Sequence, residues 1–555
     1  MKEPLGKGTW EIDLTHFPRP ATPLAAHIYR TAFAEGFRRG TERAGALVDH
    51  VAYEVVDGWM YQQPGLVGAP RGAATPPRPI FFVVSRLHPA IRRRARAAQR
   101  MFAGELWRDD VARWNSEVKP ARIRAHLELL ASDVRALDDA ALVEHVACCI
   151  ATFEDSARSH GEFSTPAMLP TGDLIAHVIE WTGEAPNRVL ALLASSSPIS
   201  AGDEPTRAAL LDAMRGAPDA MRLLELPDPR QALDALASRT DEVGVAARAY
   251  LNTVGYRALT GFDVSEPVGM EIPFVLIEGL RAVLGGRAAN EVAGAGQLVE
   301  IRDRVPAAHR DKFDHLLACA RLASAVRDER ALFNDYWSAG VTRRALLEVG
   351  RRVAARGLLP SALHAIAALH ADPRALLMRG ERVAADAIIA RFDARQRAMS
   401  LDMPAHIGPP PSAPPPAAWM PPRLRRIHAA TLAALSAVFD DAVTSDGERD
   451  CVRGIGVSPG SYVGPARVVR GPEDFHRLRP GDVLVARTTA PSFNVVLPLL
   501  GAIVTDRGGA LSHAAIVSRE FGIPGVVGCR DATSKIRDGA RVRVDGGAGA
   551  CQVLA

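Results

Sequence analysis

Neither sign of charge is in clear excess in this chain. Sixty-seven Lys and Arg stand against 63 Asp and Glu, a net charge of +4 over 555 residues. Nucleic-acid binding needs a strongly basic stripe, so that class of function is excluded. Cysteine is scarce: Cys148, Cys149, Cys319, Cys451, Cys529 and Cys551 are all there is. They form no C-x-x-C pair and no metal-ligand spacing, which excludes a disulfide scaffold, leaves no metal site to expect, and reads as reduced thiols in a cytoplasmic protein. No run approaches the roughly 20 apolar residues of a membrane span. The opening Met1-Lys2-Glu3-Pro4-Leu5-Gly6-Lys7 has no apolar core for a signal peptide. A phosphate loop of the form G-x-x-x-x-G-K-[ST] is also missing.

What is present is an ordinary globular composition, 48% hydrophobic and 23% charged, in a chain long enough for two or three domains. Near the start, Thr22 to Arg39 reads as a helix. Val51 to Val56 and Trp59 to Tyr61 read as a hairpin, because Asp57-Gly58 between two β-prone runs is a strong turn signal. From about 89 to 400 apolar residues recur at three and four, the mark of helices. Breaks are expected at Pro120, around Pro166 to Gly172, at Pro186, around Ser195 to Pro205, at Pro227 and Pro229, and at Pro267 and Pro273. The cluster Arg92-Arg93-Arg94, Arg96 and Arg100 reads as a solvated helix face. Prolines crowd 404–422, which favours an extended, semi-rigid connector. A helix over about 423–441 and a polar stretch, Thr444 to Glu448, come after it. From Cys451 onward short apolar runs alternate with turns, the pattern of a compact β/α domain.

One stretch concentrates chemistry. Ala502-Ile503-Val504 is a buried-strand signal, Gly508-Gly509 permits a tight turn that brings backbone N–H groups to a ligand, and Ser512 is a good N-cap. His513 then falls in the first helical turn, and Gly522 and Pro524 supply the stop. A helix start favours anions and disfavours a cationic imidazole. The neutral ring is a nucleophile, so His513 is expected to carry a phosphoryl group transiently, with Gly508, Gly509 and Ser512 around it.

Thr505-Asp506-Arg507-Gly508-Gly509, Ser512-His513-Ala514-Ala515-Ile516-Val517, Arg519-Glu520 and Gly522-Ile523-Pro524 resemble the phosphohistidine swivelling domain of enzymes that use phosphoenolpyruvate (PEP) or make phosphohistidine from ATP. The flanking Gly454 to Gly460, Pro480 to Ala486, Asp538-Gly539 and Val544-Asp545-Gly546 fit the same pattern. The resemblance covers about the last hundred residues and implies that His513 is the phosphorylated residue. A second resemblance is to the acceptor-binding region of rifampicin phosphotransferase and phenylphosphate synthase. It is carried by Thr9-Trp10, His16 to Pro20, Asp57 to Tyr61, Gly255-Tyr256-Arg257 and Arg327 to Arg351. Tyr256 departs from it, since relatives often carry His there.

Together these imply a multidomain α and α/β chain. A large, mainly α-helical acceptor-binding domain (1–403) with a small N-terminal β element is followed by a linker and helix (404–450), then by a small β/β/α swivelling domain (451–555). Nothing resembles the ATP-grasp domain that loads relatives, and no barrel for phosphoenolpyruvate follows. The expectation is therefore a subunit of an ATP-dependent dikinase-type phosphotransferase. A separate ATP-grasp partner would bind ATP and Mg2+, and a phenol or other hydroxyaryl compound of aromatic catabolism would accept the phosphoryl group. The alternatives are a rifampicin-type antibiotic phosphotransferase component and a non-enzymatic phosphocarrier. For the transfer itself the motifs favour Arg257 and Arg343, because guanidinium suits a migrating phosphoryl group. Trp59, Tyr61, His160, Arg330 and Trp337 are expected to contact the acceptor, His160 as its base. Arg330, Asn334, Trp337 and Arg344 share one face if 325–354 is a single helix.

Overall fold

The computed structural model describes residues 6–554 except 71, 74, 195, 197–204, 285–293, 412 and 440–449. Contacts divide the chain into two units, each assembled from separated stretches. The first comprises Met1–Leu169, Gly261–Glu266 and Glu329–Thr431; the second comprises Pro170–Thr260, Pro267–Asp328 and Leu432–Ala555. No helix among the described residues is long and apolar enough to cross a membrane.

In the first unit, strands Val48–Val56 and Trp59–Leu66 form the expected hairpin. Asp57 and Gly58 both take positive φ, 48° and 88°, which is what a two-residue turn matching strand twist requires. The expected opening helix is three pieces: Pro23–Ile28, a π-helical turn at Tyr29–Phe33, and Ala34–Ala44. Thr22 caps its start. Another π-helical turn, Ala331–Tyr336, interrupts the stretch read as one helix, separating Arg310–Arg330 from Trp337–Ala355. Each π turn inserts a residue and rotates the helix beyond it. The single face expected for Arg330, Asn334, Trp337 and Arg344 therefore does not form. Asn334 and Trp337 are fully buried, and Arg344 donates to the backbone oxygens of Leu130 and Ser132.

Two other expectations need correction. No break occurs at Pro166–Gly172, because one helix runs from Asp139 to Thr182. Ala167, Leu169, Leu174, Ile175 and Val178 are buried along it, and packing of that face outweighs the lost backbone bonds. The proline run is not a free connector either. His406–Ile407 pairs with Trp10–Glu11 as a sheet edge, and the Pro404 and Pro409 carbonyls accept from Tyr61 and Thr9. Proline lacks a donor but keeps its acceptor, so it can be tied from one side. Of the basic cluster, Arg92, Arg93, Arg96 and Arg100 are exposed, while Arg94 is buried and paired with Asp49. The breaks expected at Pro186, Pro229 and Pro273 coincide with helix starts. Most of Ser195 to Pro205 and all of Thr444 to Glu448 lie outside the described residues.

The second unit contains a mixed eight-stranded sheet. Its middle is parallel: Ser461–Val469, Asp482–Ala486, Leu500–Thr505 and Gly525–Val527 lie side by side. Val483, Leu484, Val485, Ala502, Ile503 and Val504 are fully buried, as expected of parallel strands covered on both faces. The helix His513–Glu520 packs on this sheet and shares a core with Leu259 and Val275 of the same unit. The expected fold class, a large helical part and a small α/β swivelling domain, is what the chain adopts.

Candidate active site

His513 is the first residue of the helix His513–Glu520, directly after the N-cap Ser512, whose hydroxyl accepts from the Ala515 N–H. The strand Leu500–Thr505 leads into it through Asp506 to Leu511. Gly508 has φ of 119°, and a Cβ there would lie 2.6 Å from Ser512 Cβ, so glycine is needed for the loop to approach its own cap. Asp506 anchors the loop: it is buried and accepts from the backbone N–H and hydroxyl of Thr533.

Both ring nitrogens of His513 are held. Thr489 Oγ1 lies 2.8 Å from Nδ1, and Asn494 Oδ1 lies 2.9 Å from Nε2. With the amide oxygen as acceptor, Nε2 carries the proton and the Thr489 hydroxyl donates to Nδ1. Burial pushes the imidazole down to about 4, opposed in part by the Asp328 carboxylate, so the ring is neutral at physiological pH. A neutral imidazole at a helix mouth, in contact with a hydroxyl and an amide, is a nucleophile in a site suited to anions. Thr489 and Asn494 did not emerge from sequence. The signal that could find them is topological: Thr489 comes after Asp482–Ala486, the parallel neighbour of the strand that leads to His513, and sites collect beyond the carboxyl ends of adjacent parallel strands.

The profile of the family described as PEP-utilising enzyme, mobile domain, matches residues 478–549. Over this stretch the chain is similar to the mobile domain of the PEP-utilising enzymes. Over 120 residues it is 41% identical to the uncharacterised phosphotransferase YvkC of Bacillus subtilis, covering 22% of this chain and 14% of that one. Against phosphoenolpyruvate synthase of Escherichia coli it is 48% identical over 81 residues, 15% of this chain and 10% of the enzyme. Similarity reaches well upstream of the mobile domain in the uncharacterised protein Rv2047c of Mycobacterium tuberculosis, 31% identical over 346 residues, 62% of this chain and 35% of that protein. This chain thus spans roughly a third or less of the length of each of these relatives.

The other residues singled out from sequence are divided between the two units. In the second unit Arg257 is buried. In the first unit Arg343 is buried and donates to the Val264 carbonyl at 2.9 Å. Trp59 and Tyr61 fill a core cluster with Trp10. Their polar atoms are spent on the carbonyls of Ala398 and Pro404. Trp337 is fully buried and packs on His126, ring centroids 4.8 Å apart.

His160 is different. It projects from the long helix into a buried polar cluster of the first unit, where its Nδ1 is hydrogen-bonded to Asp335 Oδ2. Tyr29 donates to the other oxygen of Asp335. Asp335 and Tyr29 each sit on a π-helical turn, a local geometry frequent at functional sites. Beside them, His16 Nδ1 lies 2.7 and 3.0 Å from the two oxygens of Asp13, and the His16 N–H donates to the same carboxylate. The two imidazoles are 6.2 Å apart, nearly perpendicular. Arg330 is close enough to act on the charge of both. Asp13 and His16 were missed as a pair because Asp and His three residues apart is too common a spacing to notice.

Proposed function

We propose that this protein is the phosphohistidine-carrying, acceptor-binding component of an ATP-dependent dikinase-type phosphotransferase. The observation that carries the reading is His513, kept neutral at the mouth of its helix and gripped at both nitrogens. Relatives named phosphotransferase and phosphoenolpyruvate synthase match over this domain, which supports the transferase class. In this reading ATP and Mg2+ are bound by an ATP-grasp-type partner. That partner would place a phosphoryl group on His513, and this chain would deliver it to a hydroxyl, in our reading a phenol or other hydroxyaryl compound of aromatic catabolism. The buried aromatic and imidazole cluster around His160 favours an aryl acceptor.

The test is labelling. With the partner and ATP labelled in the β-phosphate, the wild type is expected to take up acid-labile, base-stable label and His513→Ala none. Equal label on the variant refutes the assignment.

A further inference from the structure

We propose that the paired carboxylate–imidazole dyads of the first unit, Asp335–His160 and Asp13–His16, form the site that activates an aryl hydroxyl, with His160 Nε2 taking its proton and His16 Nε2 holding its oxygen. The proposal rests on the phosphotransferase reading above and assigns residues to its acceptor half.

Geometry is the first support. Each Nδ1 is committed to a carboxylate, which fixes the ring and turns Nε2 to the opposite edge. Among the described residues no group engages Nε2 of either ring. An Nε2 lies about 1.2 Å from its ring centroid and bonds an oxygen at about 2.8 Å. Centroids 6.2 Å apart are within the span that one oxygen atom can bridge between two rings whose Nε2 edges converge. His16 is the more accessible of the two rings, with 18% of its side chain exposed against 4% for His160. Phe33 and Phe262 flank both imidazoles, at centroid distances of 5.1 to 6.4 Å, which suits a flat aromatic body.

Energetics is the second. The side chains of Asp13 and Asp335 are wholly buried. Each buried ion costs several kcal/mol of lost hydration, and an apolar packing of equal volume is commonly as stable. Two such pairs side by side are an expensive way to fill a core.

Protonation is the third. Burial pulls His160 down further than Asp335 lifts it, and Arg330 and His16 depress it again, so this ring is a neutral base. For His16 burial is outweighed by Asp13, with Asp335 adding to it and Arg330 opposing, so its cationic form is favoured relative to a free imidazole. Tyr29, Tyr53 and Tyr336 also face the cluster; burial and its carboxylates raise all three above their usual range and they stay neutral. Neighbouring groups pushed apart in this way mark an acid/base division of labour. In the transfer step the acceptor oxygen bonds to phosphorus and the N–P bond to His513 breaks, its electron pair returning to that imidazole. The hydroxyl proton passes to His160 Nε2 and from there to solvent. Asp335, Asp13 and Tyr29 are positioning residues.

The full chain is loaded chemically with phosphoramidate, and two quantities are followed: label on His513 and phenyl phosphate formed from added phenol. The wild type is expected to load and to transfer. His160→Gln and Asp335→Asn are expected to load normally but to transfer 100-fold or more slowly, in the range of a lost general base. His16→Gln, at the more accessible ring, is expected to load and to weaken transfer at every pH. Transfer by His160→Gln at the wild-type rate overturns the proposal, as does a loaded wild type that forms no phenyl phosphate. If His513 never loads, the carrier reading fails instead. Imidazole 15N resonances then decide the acceptor site alone: phenol must shift both His16 and His160, and no shift at saturating phenol overturns it.

Discussion

The Thr489 hydroxyl meets Nδ1 of His513 at 2.8 Å, and this contact ties the imidazole to the loop after a neighbouring parallel strand. It fixes the tautomer, because a hydroxyl that donates to Nδ1 leaves the proton on Nε2. Thr489→Val keeps the shape and removes the bond. A net hydrogen bond is worth about 1 kcal/mol, so phosphorylation of His513 should slow roughly five- to tenfold with the fold intact. Label incorporation by phosphoramidate, alongside an unchanged thermal transition, checks this. An unaltered rate would leave Thr489 with no part in orienting the ring.

Gly508 should tolerate no side chain. Its φ of 119° is strained for any other residue, and the added Cβ would strike Ser512 Cβ and Oγ at 2.6 and 2.7 Å. Strain of roughly 1–3 kcal/mol and loss of an N-cap worth about 1 kcal/mol should both result from Gly508→Ala. A lower denaturant midpoint and poor His513 labelling are expected together, whereas Ser512→Ala should show the smaller cap loss alone.

Most of the region around His513 was legible because its cues are local. The apolar runs, Gly508, the N-cap Ser512 and the stop at Gly522 all act within a few residues, and each matches the structure. The partners of the His513 ring were not legible, since Thr489 and Asn494 reach it only through sheet topology. In the first unit the difficulty was greater. π-helical turns at Tyr29–Phe33 and Ala331–Tyr336 leave no periodicity signal of their own, yet they set where Tyr29, Asp335 and Trp337 point. Trp59 and Tyr61 looked like binding aromatics because sequence cannot show that their polar atoms are spent on carbonyls of residues 398 and 404.

That distinction is testable at Tyr61. Its hydroxyl donates to the Pro404 carbonyl at 2.7 Å, and its ring is fully buried. Tyr61→Phe should cost about 1 kcal/mol, seen as a lower melting temperature. Neither His513 loading nor transfer to phenol should change. A selective loss of transfer would return Tyr61 to the acceptor site.

The pH response of His513 is set by its surroundings. Burial brings the ring to about 4, and Asp328 is the anion that keeps it from falling further. The nucleophilic neutral form therefore persists far into acid. Labelling by phosphoramidate, corrected for the reagent's own pH dependence, should stay flat from pH 8 to about 5 and fall by half near 4. An unperturbed imidazole would lose half its rate near about 6.5. Asp328→Asn removes the favourable charge and should move the midpoint lower still. Stability carries the same signature. Between about 4 and 6.5 the unfolded chain binds a proton that the folded ring does not, so this residue's contribution is intact above 6.5 and is lost as pH falls to about 4. His513 is partly exposed, so after discounting for solvent the loss is on the order of 2 kcal/mol. His513→Gln should remove that slope from the pH dependence of unfolding, and an unchanged slope would show that the ring titrates alike in both states.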